Sequence, residues 1–342
     1  MRRTQTGLSL IELMVASAIG MLLLLAMTNV VINSSRAHKE IASLGQQLEN
    51  SRYAMQVLTD EIKHAGFYGQ LFGAIPPYTG ANLPDPCQTD PALLLDHLEL
   101  AVQGYDAPAA STGISCLDAA DHLDGTDILV IRRAETRLTD LADLSAGDVY
   151  LQALPADRII ATGNDASVFT LIQPNGGAPA DVRKYRVDIY YVSPCSVPAG
   201  SGSCDADADG GNPIPTLKRL VLSQTGGVTK MISEPLVEGI EDLQIDWGID
   251  RNGDGAPNET DAGVTGDDYV AIPPTINEWK NVVALRLHIL ARNIQASPGY
   301  TDKKTYSFGE SGTYSPDDKN FKRHLYSGAV RLLNVSSRRE GS

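Results

Sequence analysis

The chain has 342 residues, and 42 acidic against 28 basic residues give a formal net charge of −14 at pH 7. So acidic a surface repels phosphate groups, which excludes a general role in binding nucleic acid. The length beyond the N-terminal helix argued below suffices for one large or two small domains with a proper core.

The first long apolar stretch, residues 13–32, follows a short basic leader that contains Arg2 and Arg3. At about 1.5 Å per residue, a helix of this length crosses a hydrocarbon core of roughly 30 Å. Glu12 stands at the front of the stretch, where an unpaired charge is costly in lipid. The pattern therefore predicts a membrane segment that carries one acid in need of a partner.

The residues around Glu12 resemble the class III signal of type IV prepilins and pseudopilins, which is a basic leader, a glycine, an apolar residue and a glutamate as the fifth residue after the cut. The resemblance implies that prepilin peptidase cleaves between Gly7 and Leu8, that Leu8 becomes the N-methylated terminus, and that Glu12 pairs with the terminal ammonium of a neighbouring subunit. Leu8 and Ser9 depart mildly from the usual phenylalanine and threonine. A plain single-pass anchor is the main alternative, but it leaves Gly7 unexplained. An ordinary secretory signal has a shorter apolar core.

A helical pattern continues beyond residue 32 on a polar background. Only Ser51 interrupts the apolar stripe, whose members are Ile41, Leu44, Leu48, Met55, Leu58, Ile62 and Ala65. No proline occurs between residues 8 and 66, and Gly66 supplies a C-terminal stop. We predict one continuous helix, membrane-embedded over 8–32 and amphipathic over 33–66, where it carries a globular head.

The remaining chain divides by composition. Residues 67–126 are rich in proline and glycine and predict a long loop, whereas residues 127–342 predict a β-rich head. The candidate strands are 128–132, 149–154, 168–172, 185–192, 217–222, 240–247, 282–291 and 324–333. The predicted fold class is α+β and pilin-like, with a long N-terminal helix packed against a mainly antiparallel sheet.

Four cysteines, Cys87, Cys116, Cys195 and Cys204, form no CxxC motif and have no histidine at zinc-ligand spacing. Behind an exported anchor they predict two disulfides in an oxidising compartment. Of three possible pairings, Cys87 with Cys116 and Cys195 with Cys204 closes the shortest loops and is the one we expect; free thiols are the alternative.

Residues 250–261 follow the calcium-loop template, in which oxygen ligands alternate around a turn glycine, here Gly255. The candidate ligands are Asp250, Asn252, Asp254, the Ala256 carbonyl, Asn258 and Asp261. An Asp at the twelfth position and the absence of predicted flanking helices weaken the match, and an acidic turn closed by its own hydrogen bonds is the alternative. Calcium is the one cofactor that the sequence suggests. A second acidic run, residues 205–210, lacks an acid at position twelve and predicts a solvated loop.

For catalysis the sequence offers no nucleophile elbow, zinc-protease motif or phosphate-binding glycine loop. The six histidines are scattered, and His288 and His324 fall in candidate strands as face or core residues. We therefore predict a protein that is not an enzyme.

Three C-terminal segments, residues 238–250, 283–292 and 323–334, together with the N-terminal helix, resemble the PilW family of minor pilins. The resemblance implies a minor-pilin complex that initiates the filament and sits at its tip, with other minor pilins, the major pilin, prepilin peptidase, the inner-membrane assembly platform and a tip adhesin as partners. It also implies an inner-membrane anchor with a periplasmic head before assembly, and the pilus at the cell surface afterwards. A pseudopilin of type II secretion, similar to its J component, and a membrane-anchored periplasmic binding or adhesion module are the alternatives.

Overall fold

A long helix and two antiparallel sheets form the protein in the computed structural model, which describes residues 9–72, 75–107, 114–174, 176–200, 204–257 and 268–340. The chain divides into two compact units, Met1–Gln46 and Gln47–Ser342. Helix α1 (Leu10–His64) begins in the first unit and ends in the second. The predicted continuous helix and the α+β fold class are therefore confirmed.

The apolar stripe of α1 is buried only in the second unit. Ile41, Leu44 and Leu48 are exposed, whereas Leu58 and Ile62 are fully buried. The buried face is marked by Gln47, Ser51, Ala54, Leu58 and Ile62. Ser51 does not interrupt this face, because its Oγ donates to the carbonyl of Gln47 one turn earlier, at 2.5 Å. A small hydroxyl satisfied by its own helix can be buried at little cost.

The first sheet has seven strands, all paired antiparallel, in the order β1-β2-β5-β3-β4, with β6 pairing both β5 and β7. Its strands are β1 (Val102–Tyr105), β2 (Ile128–Ala134), β3 (Val149–Ala153), β4 (Arg158–Thr162), β5 (Val182–Ser193), β6 (Thr216–Thr225) and β7 (Val228–Glu238). A tight turn at Gly226 and Gly227, both with positive φ, joins β6 to β7.

The second sheet has four strands in the order β13-β10-β8-β9, again antiparallel. Its strands are β8 (Ile240–Ile249), β9 (Tyr269–Val270), β10 (Val282–Arg292) and β13 (Arg323–Arg331). A small hairpin of β11 (Tyr306–Ser307) and β12 (Thr313–Tyr314) stands apart from both sheets. Short helices complete the fold: α2 (Pro91–Asp96), α3 (Ile276–Lys280) and α4 (Leu333–Glu340).

The main core lies where the buried half of α1 meets both sheets. Leu58 of α1, Ile131 of β2, Trp247 of β8 and Leu287 of β10 all belong to it and are at most 1% exposed. The burial of such side chains is the dominant favourable contribution to folding. Polar contacts fix the helix in place: Glu61 forms an ion pair with Arg133 of β2, with 2.7 Å between Oε2 and Nε.

A second core lies on the other face of the first sheet. The segment that was predicted to be a loop packs over this face. Leu94 of α2 and Leu98 are buried there with Val130 and Ile189 of the sheet. The structure therefore differs from the prediction for residues 67–126, which contain α2 and β1. Asp90 caps α2 by accepting a hydrogen bond from Ala92 N at 2.9 Å. The Asp-Pro sequence is a signal for the start of a helix that a prediction from composition misses.

Two further strand predictions were wrong in part. Residues 168–172 form the end of a 3₁₀ turn (Ala166–Val168) and a single bridge from Ile172 to Pro179, where the proline has no N–H with which to extend the pairing. The predicted strand 324–333 ends at Arg331, and the chain then enters α4, which the sequence reading did not anticipate.

Candidate functional site

The predicted assembly carboxylate, Glu12, is exposed in the first turn of α1. Its Oε2 accepts hydrogen bonds from the backbone N of Ser9 at 2.9 Å and from Ser9 Oγ at 3.0 Å, and Glu12 N donates to Ser9 Oγ at 3.3 Å. This reciprocal arrangement is a capping box, which the Ser-x-x-Glu spacing could have revealed. Gly7 and Leu8, the predicted cleavage site, lie outside the described residues.

In the part of the chain that the structure describes, one helix is long and apolar enough to cross a membrane, and it is α1. Its most apolar window is not buried against protein, and large side chains such as Leu10, Met21 and Val31 are exposed. An apolar surface of this extent requires lipid or other helices to cover it.

Asp250, the first candidate calcium ligand, is fully buried directly after β8. Its Oδ1 accepts from Gly253 N at 2.6 Å and its Oδ2 accepts from Gly255 N at 2.9 Å. Arg339 of α4 places Nε 2.6 Å from the same Oδ2 and donates from Nη2 to the Asp250 carbonyl at 2.9 Å. A guanidinium therefore supplies the positive charge beside this carboxylate.

The next two candidate ligands also make bonds to the loop backbone. Asn252 Oδ1 accepts from Asp254 N, and Asp254 Oδ1 accepts from Ala256 N, both at 2.8 Å. These are the contacts of an acidic turn closed by its own side chains. Asn258 and Asp261 lie outside the described residues. Calcium binding by this loop stays a prediction, and it would require Arg339 to leave Asp250.

Helix α4 and the end of β13 together hold the Asp250 loop at a second point. Ser336 Oγ and Arg331 Nη2 each donate to the carbonyl of Gly255 at 3.0 Å, and Arg331 also forms an ion pair with Glu340. The C-terminal residues, which the sequence reading assigned no role, therefore order the loop that carries the candidate metal site.

The same helix caps the end of α1. Asn334 Nδ2 donates to the carbonyls of Lys63 and Ala65 at 3.2 Å, and Arg338 Nη1 donates to the carbonyl of Gly66 at 2.8 Å. The last carbonyl groups of a helix lack partners within it, so these side chains satisfy them. Helix α4 thus contacts both the end of α1 and the Asp250 loop.

The cysteines form the two predicted disulfides, Cys87 with Cys116 and Cys195 with Cys204. Cys87 and Cys116 pack against the second core, so this bond restrains the segment that covers the first sheet.

The second acidic run is a structural turn around Asp209. Its carboxylate accepts from the backbone N of Ser196, Val197 and Ile214 at 2.7–2.9 Å. These three bonds lower the pKa of Asp209 against the opposing effect of burial.

Three polar side chains meet on adjacent strands of the second sheet in the order of a serine-hydrolase triad. His288 Nε2 lies 3.1 Å from Asp246 Oδ2, and His288 Nδ1 lies 2.8 Å from Ser327 Oγ. His288 is 4% exposed, and Asp246 also accepts from the backbone N of Glu310 at 3.1 Å. Neighbouring side chains on adjacent strands commonly form such polar networks. We therefore interpret this network as structural, in agreement with the prediction that His288 is a face or core residue of a strand.

An exposed apolar N-terminal helix with a capped glutamate in its first turn, continuing into a head of antiparallel sheets, defines a pilin-like protein. The family comparisons agree at both ends of the chain. The prokaryotic N-terminal methylation motif matches residues 2–28, and the PilW family, described as type IV pilus-assembly protein W, matches residues 200–334. The predicted resemblance to the PilW family is thereby confirmed.

Among solved structures, the chain is similar to a type IV-like pilin, TTHA1219 from Thermus thermophilus, with 12% identity and a TM-score of 0.34. The alignment covers 84% of this chain and 96% of that one. A comparison with curated protein sequences finds no match.

The matches support a role in pilus assembly, and the motif together with α1 is consistent with anchoring in a membrane. The PilW family, which matches residues 200–334, is described by pilus assembly rather than by a catalytic activity.

Proposed function

We propose that this chain is a minor pilin that prepilin peptidase cleaves between Gly7 and Leu8 and that enters a type IV pilus through α1. The observation that carries the proposal is Glu12, an exposed acid in the first turn of a membrane-length helix, inside the match to the N-terminal methylation motif. A charge in that place is costly in lipid unless a cation compensates it. The terminal ammonium of a neighbouring subunit's Leu8 supplies such a cation.

The capping box fixes the position of the Glu12 carboxylate before this pairing occurs. Ser9 bonds to Glu12 Oε2 and holds the carboxylate at the helix N-terminus, where the helix dipole also favours negative charge. A neighbouring ammonium that docks there forms a hydrogen bond in which both partners are charged, whereas in the bonds from Ser9 only the carboxylate is charged.

Within the pilus system we assign this chain to the minor-pilin complex that initiates the filament and stays at or near its tip. Before assembly the helix is held in the inner membrane with the head in the periplasm, where the two disulfides form. Its partners are the other minor pilins, the major pilin, the assembly platform and a tip adhesin. We assign it no enzymatic activity.

The first test is the N-terminal mass of the protein recovered from cells with and without prepilin peptidase. We expect a mature chain beginning at methylated Leu8 only when the peptidase is present. An uncut Met1 in both strains would contradict the proposal and leave a membrane-anchored binding module as the better account.

The second test separates Glu12 from ordinary surface acids. Glu12→Ala should abolish incorporation into surface pili while the head still unfolds at the wild-type temperature. Glu49→Ala, which removes an exposed acid farther along α1, should leave pili unchanged. Normal piliation by Glu12→Ala would refute the pairing, and normal piliation of a complete deletion together with a secretion defect would favour the pseudopilin alternative.

A further inference from the structure

A surface slot lies where the loop after α1 meets α4. We call it the α1–α4 slot; it encloses about 460 Å³ and is lined by Phe67, Tyr68, Leu71 and Phe72 on one side and Leu333 and Arg338 on the other. All of these residues belong to the second unit. Its volume suffices for a large side chain and part of the adjoining backbone.

The walls of the α1–α4 slot are apolar and open. Tyr68 and Leu71 are buried and form its floor, whereas Phe72 is 67% exposed and Leu333 is 50% exposed. Two large apolar side chains exposed on opposite sides of one cavity form an apolar patch, and such patches mark places where another molecule binds.

The α1–α4 slot also contains a positively charged side chain, that of Arg338. Arg338 donates to the carbonyl of Gly66 at 2.8 Å, and its guanidinium lies 5.9 Å from the centre of the Tyr68 ring. Among the described residues, no Asp or Glu side chain forms an ion pair with Arg338. Burial lowers the pKa of Arg338, as expected for a partly buried guanidinium with no acid beside it in the described part of the chain. A carboxylate matches the geometry and the charge of a guanidinium and pairs with it strongly.

The surroundings extend this positive charge. Lys63 is exposed in the last turn of α1, and its carbonyl contacts Asn334, which also lines the slot. On a chain with a net charge of −14, this local reversal of sign favours the approach of an acidic partner.

We propose that the α1–α4 slot is the docking site for a segment of a partner protein in which an aspartate or glutamate adjoins a large apolar residue. The apolar side chain fills the space between Phe72 and Leu333, and the carboxylate pairs with Arg338. A second copy of this chain is disfavoured because two bodies of charge −14 repel each other. The inference concerns the second unit and does not depend on N-terminal processing.

Photocrosslinking of the full chain in its own cells tests the partner. A benzoylphenylalanine placed at Phe72 should form an adduct whose partner peptide, identified by mass spectrometry, has an acidic residue within two positions of a large apolar one. The same group placed at Val228, an equally exposed apolar site on the β6–β7 hairpin, should not yield that adduct. Adducts only with lipid, with a second copy or with a segment lacking acid, or no adduct at all, would overturn the proposal.

Peptide titration of the full chain in detergent micelles tests the chemistry. We expect acetyl-Glu-Phe-Leu-amide to bind about tenfold tighter than acetyl-Gln-Phe-Leu-amide, as for a charge-assisted contact. Phe72→Ser should weaken both peptides about tenfold, and Val228→Ser should weaken neither. Arg338→Gln should abolish the preference for the acidic peptide while the neutral peptide binds as before. Equal binding of the two peptides to the wild-type chain would overturn the proposal, even if Arg338→Gln failed to fold.

Discussion

Two carboxyl groups are buried where the sheets adjoin. Asp127, directly before β2, accepts from the backbone N of Ala107 and of Ile245 in β8 at 2.7 Å, so its side chain links the two sheets. Asp242 of β8 accepts from Gln244 Nε2 at 2.9 Å. Burial raises the pKa of Asp127 to about 8 and that of Asp242 to about 7, and these hydrogen bonds only partly oppose the effect.

These raised pKa values make the head less stable as pH rises. The folded state keeps a proton on each group that the unfolded chain releases near pH 4, so the contribution of these two groups to stability is greatest below that pH. It is lost progressively as pH rises toward about 7 for Asp242 and about 8 for Asp127.

Asp242→Asn should therefore flatten the pH dependence. The amide keeps an acceptor for Gln244 but cannot ionise, so the variant should gain stability relative to the wild type as pH rises from 4 to 7. The measurement is denaturant unfolding across that range, with Asp96→Asn, an exposed acid at the end of α2, as control. A constant difference between wild type and Asp242→Asn would show that Asp242 is not protonated in the folded head.

Residue-level features were predictable where they depend on short spacing. The Ser9–Glu12 box and the cysteine pairing follow from positions along the chain. Asp127 and Arg339 were not predictable, because their partners, Ile245 and Asp250, are 118 and 89 residues away. Only the fold brings such pairs together.

At the scale of elements, the junction of α1 with α4 depends on Gly66. Its φ of +71° is a left-handed conformation that glycine adopts freely. A Cβ there would lie 2.9 Å from Arg338 Nη2 and 3.1 Å from Val335 Cγ2. The close approach of α4 therefore requires glycine for space as well as for conformation.

Gly66→Ala should destabilise the head by about 1–2 kcal/mol for the left-handed conformation and by a further ~1 kcal/mol or more for crowding. Gly125→Ala is the matched control, because Gly125 has a φ of +83° and open space around its Cβ position. Equal losses in free energy of unfolding for the two variants would mean that α4 shifts away without cost.

The Asp250 loop gives a prediction about metal. If the loop binds calcium, the melting temperature should rise in millimolar calcium relative to chelator, and saturation to 100 times Kd would contribute about 2.7 kcal/mol. Arg339→Gln should enlarge the rise, since it removes the competing guanidinium from Asp250. Asp205→Asn, in the other acidic run, should not alter it. The absence of a shift in both the wild type and Arg339→Gln would exclude a calcium role for the loop.

The strands predicted from β-branched and aromatic runs are mostly those of the cores, including β2, β5, β8 and β10. The missed strands are poorly buried or short: β7 has a single buried residue and contains Pro235, and β9 has two residues. Such strands owe their conformation to a neighbour already in place rather than to their own sequence. Helix α4 was not predicted, and only its first residue, Leu333, fell within a predicted strand.

For the whole molecule, the first sheet is buried on both faces, by α1 and the second sheet on one side and by the segment after α1 on the other. That segment has little regular structure, and the Cys87–Cys116 bond closes it into a loop of 29 residues, against 9 for Cys195–Cys204. Constraint of the unfolded chain grows with loop length.

The paired substitution of Cys87 and Cys116 by serine should therefore lower the free energy of unfolding by about 3–4 kcal/mol, and that of Cys195 and Cys204 by about 2–3 kcal/mol. Denaturant unfolding of the full chain in detergent compares them, and reduction of the wild type should reproduce the combined loss. The reverse order would indicate that the segment after α1 stays ordered without its bond.

The two hydrogen bonds from Ser9 to Glu12 form within one chain, so they do not depend on a neighbouring subunit. If the chain assembles as proposed, these bonds replace part of the hydration that the acid gives up on entering lipid, and so lower, without removing, the cost of a solitary subunit in the bilayer. We then expect storage and growth to be separate steps. Contacts within each chain help to keep a pool of subunits in the membrane, and a neighbour's ammonium removes the remaining cost when a subunit leaves that pool.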